Sequence, residues 1–143
     1  MTKRDHKELR RYVRAVADLM ELRDWTVQVD VGRPNSPDHA DGLEWGASCA
    51  PVTGRKFATL TFGPQLRHVL VEELRQTVVH ELVHCHTFGM WDSVRHDLLV
   101  PLGQQTYDVF IAGFERQMEN GVDALADAIA PRMPLIEWSE PKK

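Results

Sequence analysis

Residues 77–86 read TVVHELVHCH, and the fold depends on whether this run lies on a helix inside the core. Gly63-Pro64 breaks the chain ahead of it. From there Leu66, Val69, Leu70, Leu74, Val78 and Leu82 recur at helical intervals, which predicts a helix over 65–88. Near Val78, Val79, Leu82 and Val83 the apolar positions spread almost all the way round the axis, the mark of a helix in the middle of a domain. Imidazoles buried there need partners. Helical residues four apart lie about 40° from each other and one turn on, so His80 and His84 project from one face and can meet a single ion. Glu81 lies about 100° from His80, where a carboxylate can reach water beside that ion without becoming a ligand.

Outward from this helix, Leu9, Tyr12, Val13, Val16, Leu19 and Met20 form the apolar stripe of an amphipathic helix over 5–22. WTVQVDVG (25–32) alternates as a strand and runs into the turn-rich GRPNSPDHADG, expected as an exposed loop. LEWGASCAPV (43–52) is a weaker strand. RKFATLTFG (55–63) alternates clearly, with Phe57, Thr59 and Thr61 on one side and Ala58, Leu60 and Phe62 on the other, and the Pro51-to-Gly54 stretch suits a hairpin. After the motif helix, GMWDSVRHD is expected to be a loop. A long helix over about 104–130 follows, with Val109, Phe110, Phe114, Met118, Val122, Leu125 and Ile129 as its apolar positions, ended by Pro131 and Pro134. Residues 131–143 form a tail expected to dock through Leu135, Ile136 and Trp138. The fold class is therefore α+β: a small, mostly antiparallel sheet of three or four strands packed against an N-terminal helix, the buried motif helix and a C-terminal helix, as one domain over 1–130.

The 143 residues suffice for one packed core, with 43% hydrophobic content. A net charge of −4 argues against a polyanion-binding surface over the whole molecule. The first helix is nonetheless basic on one face through Lys3, Arg4, Lys7, Arg10, Arg11 and Arg14, which would suit DNA phosphates or an acidic partner; Asp5 and Glu8 are interleaved, and a solvated face is the plainer expectation. Two cysteines, Cys49 and Cys85, cannot build a multi-bridge scaffold, and no signal core or membrane-spanning run is present, so a cytoplasmic, soluble protein is expected.

H-E-x-x-H on a helix is the arrangement that binds Zn²⁺ through its two histidines. The ion polarises a scissile carbonyl and acidifies its water, while Glu81 takes the proton and later returns it to the leaving amine. A catalytic zinc usually takes three protein ligands, so a third donor is required. His86 lies about 200° from His84 and cannot readily share the ion, so it is read as structural or surface. Cys85 is read as a small buried thiol. His96 is a ligand, an oxyanion-side group or a plain loop histidine, and Tyr107 either donates to a tetrahedral intermediate or simply packs.

Downstream, ERQMENGVDALADAIA places Glu119 four residues before Asp123. This resembles the E-x-x-x-D element of the gluzincins, and the resemblance implies that Glu119 is the third ligand and that Asp123 orients His80 from behind; Glu115, one turn earlier, is the reserve, and the alternative is that Glu119 lies on a solvated face. Glycine at 87 and histidine at 90, which the metzincins require, are replaced here by Thr87 and Met90. The order of elements, with LRDWTVQV ahead of ELRQTVVHELVH, resembles a minimal zincin metallopeptidase domain, similar to SprT-like and ImmA/IrrE-like proteins and to small metallopeptidase-like proteins of actinobacterial bacteriophages. That resemblance implies a zinc-dependent endopeptidase acting on a polypeptide in extended form, which would add along an edge strand at 57–62; for a phage-encoded chain the compartment would be the host cytoplasm. A competing reading takes Cys49, His80 and His84 as the ligand set of an amidohydrolase resembling the peptide deformylases, and another takes the chain as a non-catalytic zinc-holding regulatory or binding module.

Overall fold

A computed structural model describes residues 1–34 and 46–139. Helix α1 (Lys3–Leu19) is followed by strands β1 (Thr26–Val31), β2 (Ala47–Pro51) and β3 (Phe57–Phe62), then by a 3-10 turn (Pro64–His68) and helix α2 (Val71–Asp97). A short helix α3 (Leu99–Leu102) leads into α4 (Gln104–Ile129). The α+β class follows the sequence expectation. From residue 35 onward the expected exposed loop lies outside the described residues, as do the last four residues of the tail. No helix among the described residues is long and apolar enough to cross a membrane.

Helix α1 starts in a capping box: Asp5 N–H donates to Thr2 Oγ1 at 3.2 Å, and Thr2 N–H donates to Asp5 Oδ2 at 2.8 Å. Its stripe of Leu9, Tyr12, Val13, Val16, Ala17 and Met20 is buried, but Leu19, expected on that stripe, is exposed because the helix ends there. The end is a Schellman turn, in which Leu22 N–H donates to Ala17 O at 2.9 Å and Glu21 N–H to Asp18 O at 3.3 Å. The turn puts Glu21 at φ 59°, a left-handed position normally taken by glycine.

The sheet order is β1-β3-β2, so β3 is central. This corrects the expectation that 57–62 forms an edge. β3 pairs antiparallel with β2, in the expected hairpin, and parallel with β1, so the sheet is mixed rather than mostly antiparallel. Ala58, Leu60 and Phe62 are buried on one face of β3 while Phe57, Thr59 and Thr61 alternate outward. The buried face packs with α1 and α2 into a core that includes Leu74, Val78, Val79, Leu82 and Val83, each full burial worth roughly 1.5–3 kcal/mol. On β2, small residues (Ala47, Ser48, Cys49, Ala50) let α2 approach more closely than it does any other strand.

The motif helix differs in extent from the sequence reading at both ends. Val69 and Leu70 are extended, with ψ 165° and 143°, so the motif helix begins at Val71 and the preceding residues form the separate 3-10 turn. At its other end α2 runs through Gly89 to Asp97, where a loop was expected. One helical glycine costs only about 1 kcal/mol, and the extension is secured by Phe88 and Trp91 in contact, by Arg95 stacked 4.3 Å from the Trp91 ring, and by Thr53 donating to Asp92 at 2.8 Å. In α4 only Val122 and Ala126 are buried; Val109 is 80% exposed and Phe110 40%, contrary to the expected apolar stripe, and the first half of α4 meets the end of α2 through polar contacts of Tyr107 and Glu115 with Arg95. The tail docks on α1 through buried Ile136, with Tyr12 OH donating to Pro134 O at 2.8 Å and Arg67 lying 4.5 Å from the Trp138 ring; Leu135 stays exposed.

Glu21→Gly is expected to raise stability by about 0.5–1 kcal/mol, read as a higher urea midpoint at unchanged m-value, since it relieves the left-handed φ. Asp5 is held below the ordinary carboxylate range, first by the Thr2 N–H, against a smaller opposing effect of burial. Its folded pKa is depressed, so its stabilisation is present above the unfolded value near 4 and is lost as pH falls through the lower folded value. The stability gap between the natural chain and Asp5→Asn should accordingly be widest near neutrality and narrow below about pH 4 in urea titrations.

Candidate metal centre

Helix α2 presents His80 and His84 on a partly open face, four residues apart as the helical repeat requires, with their ring centroids 4.9 Å apart. The Nε2 atoms of the two rings lie 3.2 Å from each other. Across from them α4 supplies Glu119, whose Oε2 is 3.7 Å from His80 Nε2 and 3.8 Å from His84 Nε2. These three donor atoms form a near-equilateral triangle. Bonds of about 2.0–2.1 Å to a tetrahedral ion place neighbouring donors about 3.3–3.4 Å apart, so a contraction of a few tenths of an ångström would seat all three on one cation. His80, His84 and Glu119 can hold a metal ion.

Behind His80, Asp123 Oδ1 lies 3.0 Å from Nδ1. With the proton on Nδ1 donating to that carboxylate, the Nε2 lone pair is directed at the triangle, and the ring cannot rotate without breaking the bond. Glu119 and Asp123 are adjacent turns of α4, so one helix provides both the third donor and the brace. Val122 and Ala126, buried against α2, fix the rotation of α4 that brings these acids round to the histidines.

His84 is pushed down to about 4, first by burial and then by the neighbouring His80, with Asp123 pulling the other way. Its imidazole is therefore neutral at pH 7, the state that ligates. Glu81, only 6% exposed, is pushed up to about 8, first by burial and then by the charge of Glu119. A carboxyl group with a proton affinity near neutrality can both accept and return a proton. Cys85, one turn beyond Glu81, is buried as expected.

Cys49 faces Cys85 and Glu81 from β2. Its thiol is held well above the usual range, first by a hydrogen bond with Cys85, then by burial, the Cys85 charge and Glu81. It lies outside the group of three donors and walls the far side of Glu81, so the Cys49, His80, His84 ligand set is not assembled. The other candidates also point elsewhere. Glu115 pairs with Arg95 at 3.5 Å. His96 lies on the extended α2 rather than in a loop, with Nδ1 2.9 Å from Asp92 O. Tyr107 donates to Arg95 O at 3.1 Å, and the His86 Nε2 is 2.8 Å from Met20 O. Two surface clefts, one of about 270 Å³ bounded by Met20, His86, Ile129 and Met133 and one of about 490 Å³ against α1 and β1, lie away from the donor triangle. The lining of Glu81 by Cys49 has one trace in the sequence, the small-residue run ASCAP, whose short side chains suit a close approach of α2 to β2.

The chain matches no protein family model, no curated protein and no solved structure.

Asp123→Asn is expected to lower metal affinity about 10- to 100-fold, and Glu119→Gln should weaken metal retention far more than Glu115→Gln does. Competition with a chromogenic chelator measures both, and the reverse ranking would transfer the third ligand to Glu115.

Proposed function

We propose that the chain is a zinc-dependent hydrolase of peptide bonds, an endopeptidase of the zincin type. The observation that carries this reading is the convergence of His80, His84 and Glu119 at 3.2 to 3.8 Å with Glu81 buried alongside but outside the triangle. Two imidazoles and one carboxylate suit zinc, and three protein donors leave a coordination position for substrate or water. When bound there, zinc would polarise the scissile carbonyl and acidify water for attack.

The remaining work falls to side chains of this protein. Glu81 takes the proton from the attacking water. Its proton affinity is raised to about 8, so the ionised form that accepts this proton gains as pH rises toward that value, and the protonated form delivers it to the departing amine as the C–N bond breaks. Asp123 keeps the His80 ring aimed while charge develops. Cys49, Cys85 and the core behind them keep bulk water away from the buried side of Glu81, which sustains its raised affinity.

Substrate would be an extended polypeptide. β2 is the sheet edge beside α2, and its outer side has no partner strand among the described residues, so a peptide aligned on it would pass close to the motif helix. This moves the expected substrate edge from 57–62 to Ala47–Pro51. A compartment with reduced thiols fits the two free cysteines.

Glu81→Gln should retain the fold and bind zinc with near-natural stoichiometry by elemental analysis, while peptide-library cleavage falls at least about 100-fold. His80→Ala should lose both metal and cleavage. Undiminished cleavage by Glu81→Gln would refute the mechanism, and zinc binding without cleavage in the natural chain would leave a metal-holding module instead.

A further inference from the structure

We infer that the exposed face of α1 is a docking surface for the phosphate backbone of double-stranded DNA. In the sequence, six basic residues of this helix alternate with Asp5, Glu8 and Asp18, which suggests mutual neutralisation. The folded helix sorts them. At about 100° per residue, Lys3, Lys7, Arg10, Arg11 and Arg14 fall within an arc of about 100°, whereas Asp5 and Glu8 fall outside it. Both acids are also engaged elsewhere: Asp5 is 8% exposed and bonded to Thr2 and to Arg67 at 3.4 Å, and Glu8 accepts from Arg4 at 3.2 Å and from the Ser139 N–H of the docked tail at 3.1 Å. Asp18, paired with Arg14 at 3.1 Å, is the one acid of the helix left on the arc.

Lys3, Lys7 and Arg11 are exposed and have no ion pair among the described residues. Arg10 and Arg14 are held in place beside them: Arg10 Nε donates to Val29 O at 3.1 Å and Arg14 to Trp25 O at 3.2 Å, which anchors the guanidinium groups without using all five N–H donors of either. Below these two arginines runs the cleft of about 490 Å³, lined also by Gln28 and Asp30. The result is a row of cations about 16 Å long, rising about 6 Å for every four residues, on a chain whose overall charge is −4.

Charge complementarity selects the partner. A duplex carries one negative charge per about 1.7 Å of axis, and a row of cations is matched by such a repeating polyanion better than by an isolated acidic side chain. A lipid surface is disfavoured because the apolar side of α1, with Leu9, Val13 and Val16 fully buried in the core, has nothing to insert into a bilayer. Within the arc only lysine, arginine and Asp18 are presented, so contact is with phosphates and carries no base sequence information.

The test is fluorescence anisotropy of a short labelled duplex of mixed sequence, titrated with the full chain between about 50 and 200 mM salt. The natural chain should bind at low salt, with log K falling linearly against log salt. Combined Lys3→Gln, Lys7→Gln and Arg11→Gln should weaken binding and make the salt slope shallower by about 2 to 3, since each phosphate contact contributes about 0.9. Combined Arg55→Gln, Arg116→Gln and Arg132→Gln, which neutralises cations elsewhere on the surface, should leave the slope unchanged. No binding at low salt, equal losses from the two sets of substitutions, or a preference for phosphatidylserine vesicles over the duplex would each overturn the inference.

Discussion

Helix α2 must satisfy two demands on the same few turns. Leu74, Val78, Val79, Leu82 and Val83 commit much of its circumference to the core, and a half-buried face beside them holds two imidazoles. Neither ring can turn to bulk water freely, and each requires a polar partner in place of the solvent it has lost. Helix α4 supplies those partners. Its buried contacts at Val122 and Ala126 are few, yet they set the rotation that brings Glu119 and Asp123 against His80 and His84. Packing between the two helices therefore sets the electrostatics of the centre: a small rotation of α4 would separate the acids from the rings together.

The same burial divides the labour between neighbouring residues. His84 and Glu81 are three positions apart, and loss of water pushes their proton affinities in opposite directions, down to about 4 for the imidazole and up to about 8 for the carboxylate. Burial penalises whichever form is charged. One low-dielectric environment thus keeps a lone pair free on the histidine and strengthens the hold of the glutamate on a proton it accepts. Glu119, more open to solvent, is the member of the set that contributes a carboxylate oxygen to the triangle from α4.

The α+β class and the pairing of His80 with His84 were legible because each rests on local periodicity, one turn bringing residues i and i+4 together wherever a helix forms; that Glu119 and Asp123 face those histidines came from the resemblance of E-x-x-x-D to the gluzincin element, not from periodicity. What was not legible depends on contacts distant in sequence. No alternation pattern could report that β3 lies centrally and pairs parallel with β1, since strand order follows from how the helices cover the sheet. The extension of α2 to Asp97 rests on Thr53 reaching Asp92 and on Arg95 over Trp91, against the local signal of Gly89. Val109 and Phe110 have the spacing of core residues on a helix that meets too little of the domain to bury them. In the sequence Cys49 is compatible with a ligand role because nothing local fixes its distance from α2; the small side chains of β2 place it beside Glu81 instead.

The two margins of the sheet are finished differently. Along β1 the even-numbered residues turn their backbone groups to β3, as in Thr26 N–H to Lys56 O and Gly32 N–H to Phe62 O, so the carbonyls of Trp25 and Val29 face away, and Arg14 and Arg10 occupy them. A strand arriving on that side would have to displace two charged hydrogen bonds before making any of its own. A sheet guarded in this way at one margin resembles a monofunctional unit in polymer chemistry: among the described residues strand addition is left to the β2 side, and growth from both margins into a fibril is opposed.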